Sequence, residues 1–251
     1  MNYLPTTSYG EIGKILPFVL EKILSFKTNG TFVEIGANDG KTGSFTYNLA
    51  NIGWNGYYCE PIPELVEQCK INHAQNNNVH IIPYGCGEKE ETLEILYAGT
   101  LSSIDNETIN HVSKLTWAKN NFKRNYKVNI NIKKLDTILQ ENNITNIDLL
   151  IIDVEGFEEN VLKGFTLEKY IPSILIIEIS DTHPDFLNNK LLMDKFKRIR
   201  NYLKEKNYIL LANDIVDNIY LTKEIYSKLD INFIQTIKGI IKHTQYIEVK
   251  N

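Results

Sequence analysis

The sequence predicts an α/β fold with a doubly wound, mostly parallel sheet and a hairpin at one edge. Three observations carry this. Short apolar runs alternate with segments of helical period from residue 11 onward. The two most hydrophobic runs, 149–154 and 174–179, are bounded by acids and read as central strands buried on both faces. A glycine-rich turn, Gly36-Ala37-Asn38-Asp39-Gly40, follows the first apolar run directly.

Residues 11–26 place Ile12, Ile15, Leu16, Val19, Leu20 and Ile23 on one broad face, which predicts a helix that Pro17 kinks or restarts. A strand over 31–35 runs into the glycine turn, and a helix with Phe45, Leu49 and Ile52 facing inward follows it. A strand over 56–59 ends at Glu60-Pro61, a helix over about 64–74 comes next, and a strand over 79–83 completes the first half. Residues 92–97 read as an added strand and 128–132 as a strand with an exposed face. The polar stretch 98–127 between them is too long for a plain linker and predicts a lid or substrate loop. After a short helix over 135–141 and the two apolar strands, residues 191–206 carry Leu192, Phe196, Ile199 and Leu203 on one stripe. Strands near 208–212 and 218–221 form the edge hairpin, and 231–241 reads as a last amphipathic helix. With no internal repeat and no low-complexity linker, 1–251 reads as a single domain with an N-terminal helical segment over about 8–28.

Composition excludes several functions. Hydrophobic residues at 43% and charged residues at 23% suit a folded globular domain. A net charge of −4 provides no global basic field for nucleic acid. No apolar run approaches the ~20 residues of a membrane span, and residues 1–10 lack a signal-peptide layout. Cys59, Cys69 and Cys86 are too few and too irregular for a disulfide framework or zinc site, which predicts a reducing, cytoplasmic setting.

The turn points to a ligand. Gly36 permits a sharp bend and a close backbone approach, and Gly40 is expected to allow tight packing where the next helix begins. A dinucleotide site wants G-x-G-x-x-G, with helix N–H groups aimed at a pyrophosphate. Here Glu34 precedes the first glycine and the spacing is Gly-x-x-x-Gly, so a cationic ligand such as a sulfonium amino acid suits the acid better. Glu60, at the end of the second strand, stands where Rossmann-like folds place a carboxylate on ribose hydroxyls.

In order along the chain, Tyr9-Gly10-Glu11, FVEIGANDG at 32–40, GWNGYYCEPIP at 53–63, Leu135-Asp136 and IDLLIIDVEGFEENVLKG at 147–164 resemble the FkbM family of methyltransferases, as does the strand ending in Glu178. The resemblance covers residues 8–180, and its most specific stretch is 147–164. Ser8 departs from the family pattern, in which many relatives carry Gln. The resemblance implies a sheet of the class I methyltransferase type, S-adenosylmethionine as cofactor, and a hydroxyl of a sugar or nucleotide-activated sugar as methyl acceptor. The cofactor contacts it implies are Glu34, Gly36, Ala37, Asn38, Gly40, Thr42, Glu60, Pro61, Gly85, Ser103 and Asp153.

Ligands in doubly wound sheets sit at the carboxyl ends of the strands, so Asp153, Glu155, Glu178 and His183 converge if their two strands are neighbours. Two designs fit. Asp153, Glu155 or His183 serves as general base, or Asp153 and Glu178 hold a divalent cation, magnesium or manganese, that acidifies the hydroxyl. Asp153-Val154-Glu155-Gly156 is not the polar-Pro-Pro-aromatic turn of an enzyme that methylates DNA amino groups, which argues against nucleic acid as substrate. In the 98–127 stretch, Ser102 and Ser103 are expected at the cofactor or sugar, and Lys119, Arg124 and Lys127 at the phosphates of a nucleotide-linked sugar. Phe233, Ile234, Ile237, Ile240 and Ile241 pack either on their own core or on a second subunit, and Lys238 and Lys242 are too few for membrane attachment. Two other readings stay open at this point: a nicotinamide-dependent oxidoreductase, and a binding protein that keeps the fold without chemistry.

Overall fold

The computed structural model describes residues 10–25, 27–123 and 125–241; Ser8, Tyr9, Arg124 and Lys242 lie outside them. The first part of the chain forms α1 (Glu11–Leu24), β1 (Thr31–Ile35), α2 (Tyr47–Asn51), β2 (Asn55–Cys59), α3 (Pro63–Asn72) and β3 (Val79–Ile82). A small second sheet follows from β4 (Gly85–Cys86), β5 (Glu91–Tyr97) and β6 (Tyr126–Lys133), with α4 (Asn106–Val112) and α5 (Lys119–Phe122) between the last two. The parallel core is completed by α6 (Leu135–Glu141), β7 (Leu149–Ile152), α7 (Glu158–Lys163), α8 (Leu167–Tyr170) and β8 (Ile174–Glu178). The chain then runs through α9 (Lys190–Glu205), β9 (Tyr208–Asn213), β10 (Asp217–Thr222), α10 (Lys223–Ser227) and α11 (Ile231–Ile240).

The main sheet has the order β3-β2-β1-β7-β8-β10-β9. Its first five strands are parallel, and the β9–β10 hairpin closes the edge antiparallel, with β10 against β8. This is the mostly parallel sheet with an edge hairpin that the sequence predicts. Winding reverses between β1 and β7, where a doubly wound sheet opens its ligand crevice. Ile35 pairs with Ile152, so the chain leaves both strands at one level, into Gly36 on one side and Asp153 on the other.

Alternate side chains of the central strands enter opposite cores. Val33, Ile35, Leu150, Ile152, Leu175 and Ile177 pack under α6, α7 and α9, while Phe32, Leu149, Ile151, Ile174 and Ile176 pack under α1 and α11. Helix α1 runs through Pro17 without restarting. Proline in a helix interior costs about 3 kcal/mol. Ile12, Ile15, Leu16, Val19 and Leu20 are essentially fully buried, at about 1.5–3 kcal/mol each, so packing outweighs it.

The expected helix after the glycine turn is displaced and short. Asp39 accepts hydrogen bonds from Lys41 N, Thr42 N and Thr42 Oγ1, and Glu34 accepts from Ser44 and Thr46. These side-chain bonds hold residues 41–46 as loop, and α2 starts only at Tyr47. Phe45 and Leu49 are nonetheless buried, as expected. Strand β5 pairs along its full length with β6, and the segment that leaves it brings Gly99, Thr100, Ser102 and Ile104 to the cavity at the carboxyl ends of the main sheet. The three cysteines are buried and form no disulfide. Among the described residues no helix is long and apolar enough to cross a membrane.

Candidate functional site

A cavity of about 610 Å³ opens at the switch point, and Glu34, Gly36, Ala37, Asn38, Thr42, Glu60, Pro61, Gly85, Asp153 and Glu155 all line it. Gly36 has φ +82°, and a Cβ there would lie 1.7 Å from Asp153 O. The glycine is therefore required first by the neighbouring backbone, before any ligand enters. Gly36 N and Ala37 N both donate to Cys59 O, at 3.0 and 3.2 Å, which ties the turn to the end of β2.

Glu60 accepts from Asn38 N and Ile62 N, each at 2.9 Å, and burial pushes its carboxyl up to about 7. Glu34 accepts from Ser44 Oγ at 2.9 Å and from Thr46 Oγ1. Burial raises it to about 7 as well, against the lowering effect of those two hydroxyls. Two acids whose charge is suppressed by burial favour a ligand that brings hydroxyl donors and a positive charge. The second sheet supplies an apolar wall to the same cavity through Ile95 and Ile132, beside Ile62 and Leu65. These four were not foreseen, because the pairing of β5 with β6 decides that they meet.

Two expected cofactor contacts stand outside the cavity. Gly40, at φ +69°, packs against α3: a Cβ would lie 2.4 Å from Cys69 Sγ and 2.9 Å from His73 Nε2. The tight packing is thus with α3 and not with the helix that follows in sequence. Ser103 Oγ donates to Glu155 O at 2.6 Å and so holds the acid turn from behind.

At that turn Glu155 and Gly156 both adopt positive φ, +53° and +101°. Such a conformation in a non-glycine residue is held by surrounding bonds. Glu158 Oε1 accepts from Val154 N at 3.1 Å and Gly156 N at 3.0 Å, while Lys195 Nζ donates to Gly156 O at 3.0 Å and pairs with Asp105. Glu158 therefore does the turn-capping, which leaves Asp153 and Glu155 free of it. One carboxylate oxygen from each of Asp153, Glu155 and Glu178 lies within 4.8 Å of the other two. Glu178 Oε1 accepts from Ser180 Oγ at 3.3 Å, but its Oε2 is buried with no hydrogen-bond partner.

Burial pushes Asp153 up to about 6, partly offset by the adjacent Glu178. Burial, and then the neighbouring carboxylates, raise Glu155, Glu178 and Asp217 well above the usual range. Asp217 is a cavity residue that sequence reasoning missed. It lies opposite Glu178 only because β10 inserts beside β8, and no local signal marks it.

His183 is not in this cavity. It lines a smaller one of about 150 Å³ with Glu155, Glu178 and Trp117, and its Nδ1 accepts from Asp185 N at 3.2 Å. The expected convergence thus holds for the three carboxylates, with the imidazole across the second cavity. Ser102 lines the main cavity, with its hydroxyl bonded to Gly99 O. Lys127 is paired with Glu94, and Lys119 is exposed, so neither reaches a cavity. Among the described residues no Lys or Arg lines either one.

Solved structures with a similar chain path include a precorrin-6y C5,15-methyltransferase from Geobacter metallireducens, with 10% identity, TM-score 0.44, and 83% of this chain and 87% of that one covered. An O-methyltransferase from Bacillus cereus in complex with SAH aligns with 13% identity, TM-score 0.45, and 81% and 78% coverage. No curated protein matches the chain. The family model for the methyltransferase FkbM domain matches residues 34–210, which span the end of β1 with its glycine turn, Glu60, the acid turn and Glu178. That match takes in well over half of the sequence and both halves of the site, and the chain belongs to the FkbM methyltransferase family.

Proposed function

We propose that the protein is an S-adenosylmethionine-dependent O-methyltransferase acting on a hydroxyl of a sugar-like acceptor. The observation that carries this reading is the carboxylate trio of Asp153, Glu155 and Glu178, of which Asp153 and Glu155 line a cavity that also holds Glu34 and Glu60. When bound, S-adenosylmethionine supplies an electrophilic methyl group on a sulfonium. Glu34 would hold its ammonium end and Glu60 its ribose hydroxyls, and the wall of Ile95 and Ile132 would take a flat ring. Asp153 accepts the proton of the acceptor hydroxyl. Its carboxyl, raised to about 6, is ionised at neutral pH yet basic enough for the task.

A second reading adds a divalent cation, favoured by the unpartnered Glu178 Oε2. Asp153, Glu155 and Glu178 would hold it, and it would acidify the acceptor hydroxyl. The phosphates of a nucleotide-activated acceptor lie outside both cavities in this reading, since among the described residues neither has a Lys or Arg in its lining. A nicotinamide dinucleotide would set its pyrophosphate at the glycine turn beside Glu34, which disfavours it.

Calorimetry with S-adenosylhomocysteine tests the cofactor assignment, with NADH as the control expected not to bind. A panel of sugars, sugar nucleotides, catechols, amines and DNA, followed by mass spectrometry for one added methyl, tests the acceptor. Methylation of nitrogen or nucleic acid alone would refute the O-methyltransferase reading.

A further inference from the structure

Glu155 brings its acid to the trio from a backbone conformation that its residue type disfavours. Its φ is +53°, and Gly156 follows at +101°. A β-carbon makes the left-handed region costly, so the turn has to be held by its surroundings. Two of the bonds that hold it are local: Val154 N and Gly156 N both donate to Glu158 Oε1. The two carbonyls are held from elsewhere in the chain. Glu155 O accepts from Ser103 Oγ, 52 residues away, and Gly156 O accepts from Lys195 Nζ, 39 residues away.

Lys195 is an unusual donor. It is 9% exposed, and lysine is almost never buried unless paired. Its partner is Asp105, which caps α4 by accepting from Thr108 N at 3.1 Å and from Thr108 Oγ1 at 2.6 Å. A neutral donor would satisfy one carbonyl, whereas an ammonium satisfies a carbonyl and a carboxylate at once. Lys195 thereby joins α9, the acid turn and the segment between β5 and β6. The turn and that segment are in direct contact: a Cβ on Gly156 would lie 2.2 Å from Thr108 Oγ1 and 3.2 Å from Asp105 Oδ2. Lys195 lines neither cavity, so it meets the backbone that aims Glu155 and not a ligand.

We propose that Lys195 is a positioning residue for methyl transfer: by joining Gly156 O to Asp105 it fixes the left-handed turn that sets a Glu155 carboxylate oxygen within 4.8 Å of those of Asp153 and Glu178. The proposal rests on the methyltransferase reading and adds to it a residue outside the cavity.

Lys195→Met alone would leave the Asp105 carboxylate buried and unpaired. The test therefore compares two other variants. Asp105→Asn keeps the cap on α4 and the Lys195 bond to Gly156 O; Asp105→Asn/Lys195→Met then removes the ammonium without stranding a charge. Glu155–Gly156 is the one Glu–Gly pair in the sequence. Labelling glutamate at the carbonyl carbon and glycine at the amide nitrogen thus gives a single correlated NMR signal, that of the Gly156 amide. In the full chain with S-adenosylhomocysteine, the double variant should show that signal displaced and its amide exchanging with solvent ~10-fold faster than in Asp105→Asn, at equal S-adenosylhomocysteine affinity. Lys195→Arg, which keeps a charged donor, should return both toward wild type. In methyl transfer to the panel member that wild type turns over fastest, kcat of the double variant should fall ~10-fold or more at an unchanged KM for S-adenosylmethionine. A Gly156 amide that behaves alike in the two variants would overturn the proposal, because a merely structural ion pair moves the unfolding midpoint and not the native turn. A displaced turn with unchanged kcat would overturn it as well. Wild type that binds no S-adenosylhomocysteine and methylates no panel member would instead refute the methyltransferase reading, and the amide would still show whether Lys195 holds the turn.

Discussion

Replacing Asp153 by Asn separates two consequences of crowding carboxylates at one turn. Asp153 is ordinarily a 3.8 group and is raised to about 6 in the fold, mainly by burial. That rise corresponds to about 3 kcal/mol. A carboxyl raised on folding contributes stability that is fully present below pH 3.8 and is lost as pH climbs through 6. At pH 8 the fold without metal or cofactor therefore carries a charge it resists. Asn removes the charge and keeps the shape beside Glu155 and Glu178. Asp153→Asn should then raise Tm at pH 8 by about 5 °C or more, at roughly 2–4 °C per kcal/mol for a chain of this size, and change it little near pH 4. The same variant should lose ~100-fold or more in kcat while S-adenosylhomocysteine affinity barely moves. Thermal unfolding from pH 4 to 8 in EDTA, beside steady-state kinetics, measures both. A Tm that falls at pH 8 would refute the electrostatic account. A near-normal kcat would move the base to Glu155 or Glu178.

Glu34 and Glu60 both sit at about 7 without ligand, so affinity for S-adenosylhomocysteine should rise several-fold from pH 6 to pH 8. Binding should release protons, seen as a dependence of calorimetric enthalpy on the buffer's ionisation heat; a flat profile would count against Glu34 as the ammonium contact. Gly36→Ala should cost about 3 kcal/mol or more in stability, because its Cβ meets Asp153 O and its φ is +82°. A bulkier Gly36→Val therefore tests the β1–β7 junction before it tests the cofactor, and an unchanged unfolding midpoint in either variant would contradict the geometry. EDTA should abolish turnover, with rescue by magnesium or manganese, if the trio holds a cation; full activity in EDTA assigns the proton to Asp153 alone.

The strands were legible because buried β-runs are local and strongly apolar, as at Leu149–Ile152 and Ile174–Glu178. Glu34, Glu60 and Asp153 were legible because a parallel sheet sends each strand's carboxyl end to the same side, so a strand-end acid announces its own position. What could not be read was whatever depends on which element lies beside which. Gly40 looked like the start of the next helix and is a contact with His73 of α3. Ser103 looked like a ligand contact and is a prop for Glu155 O. Around Gly156 it is Glu158 that takes the capping and leaves Asp153 and Glu155 out of it, which no local pattern announces. Asp217 carried no signal until β10 paired with β8, and the division into two cavities that share Glu155 exists only once the excursion between β5 and β6 folds back onto the sheet. By itself, then, the sequence determined the sheet, its hairpin and the acids at its strand ends, because period and burial are written in near neighbours. Only the tertiary structure decided which glycine lines the cavity and which packs on α3, which acid caps the turn, and how Asp217 comes to face Glu178, because those contacts join residues far apart in sequence and carry no period of their own.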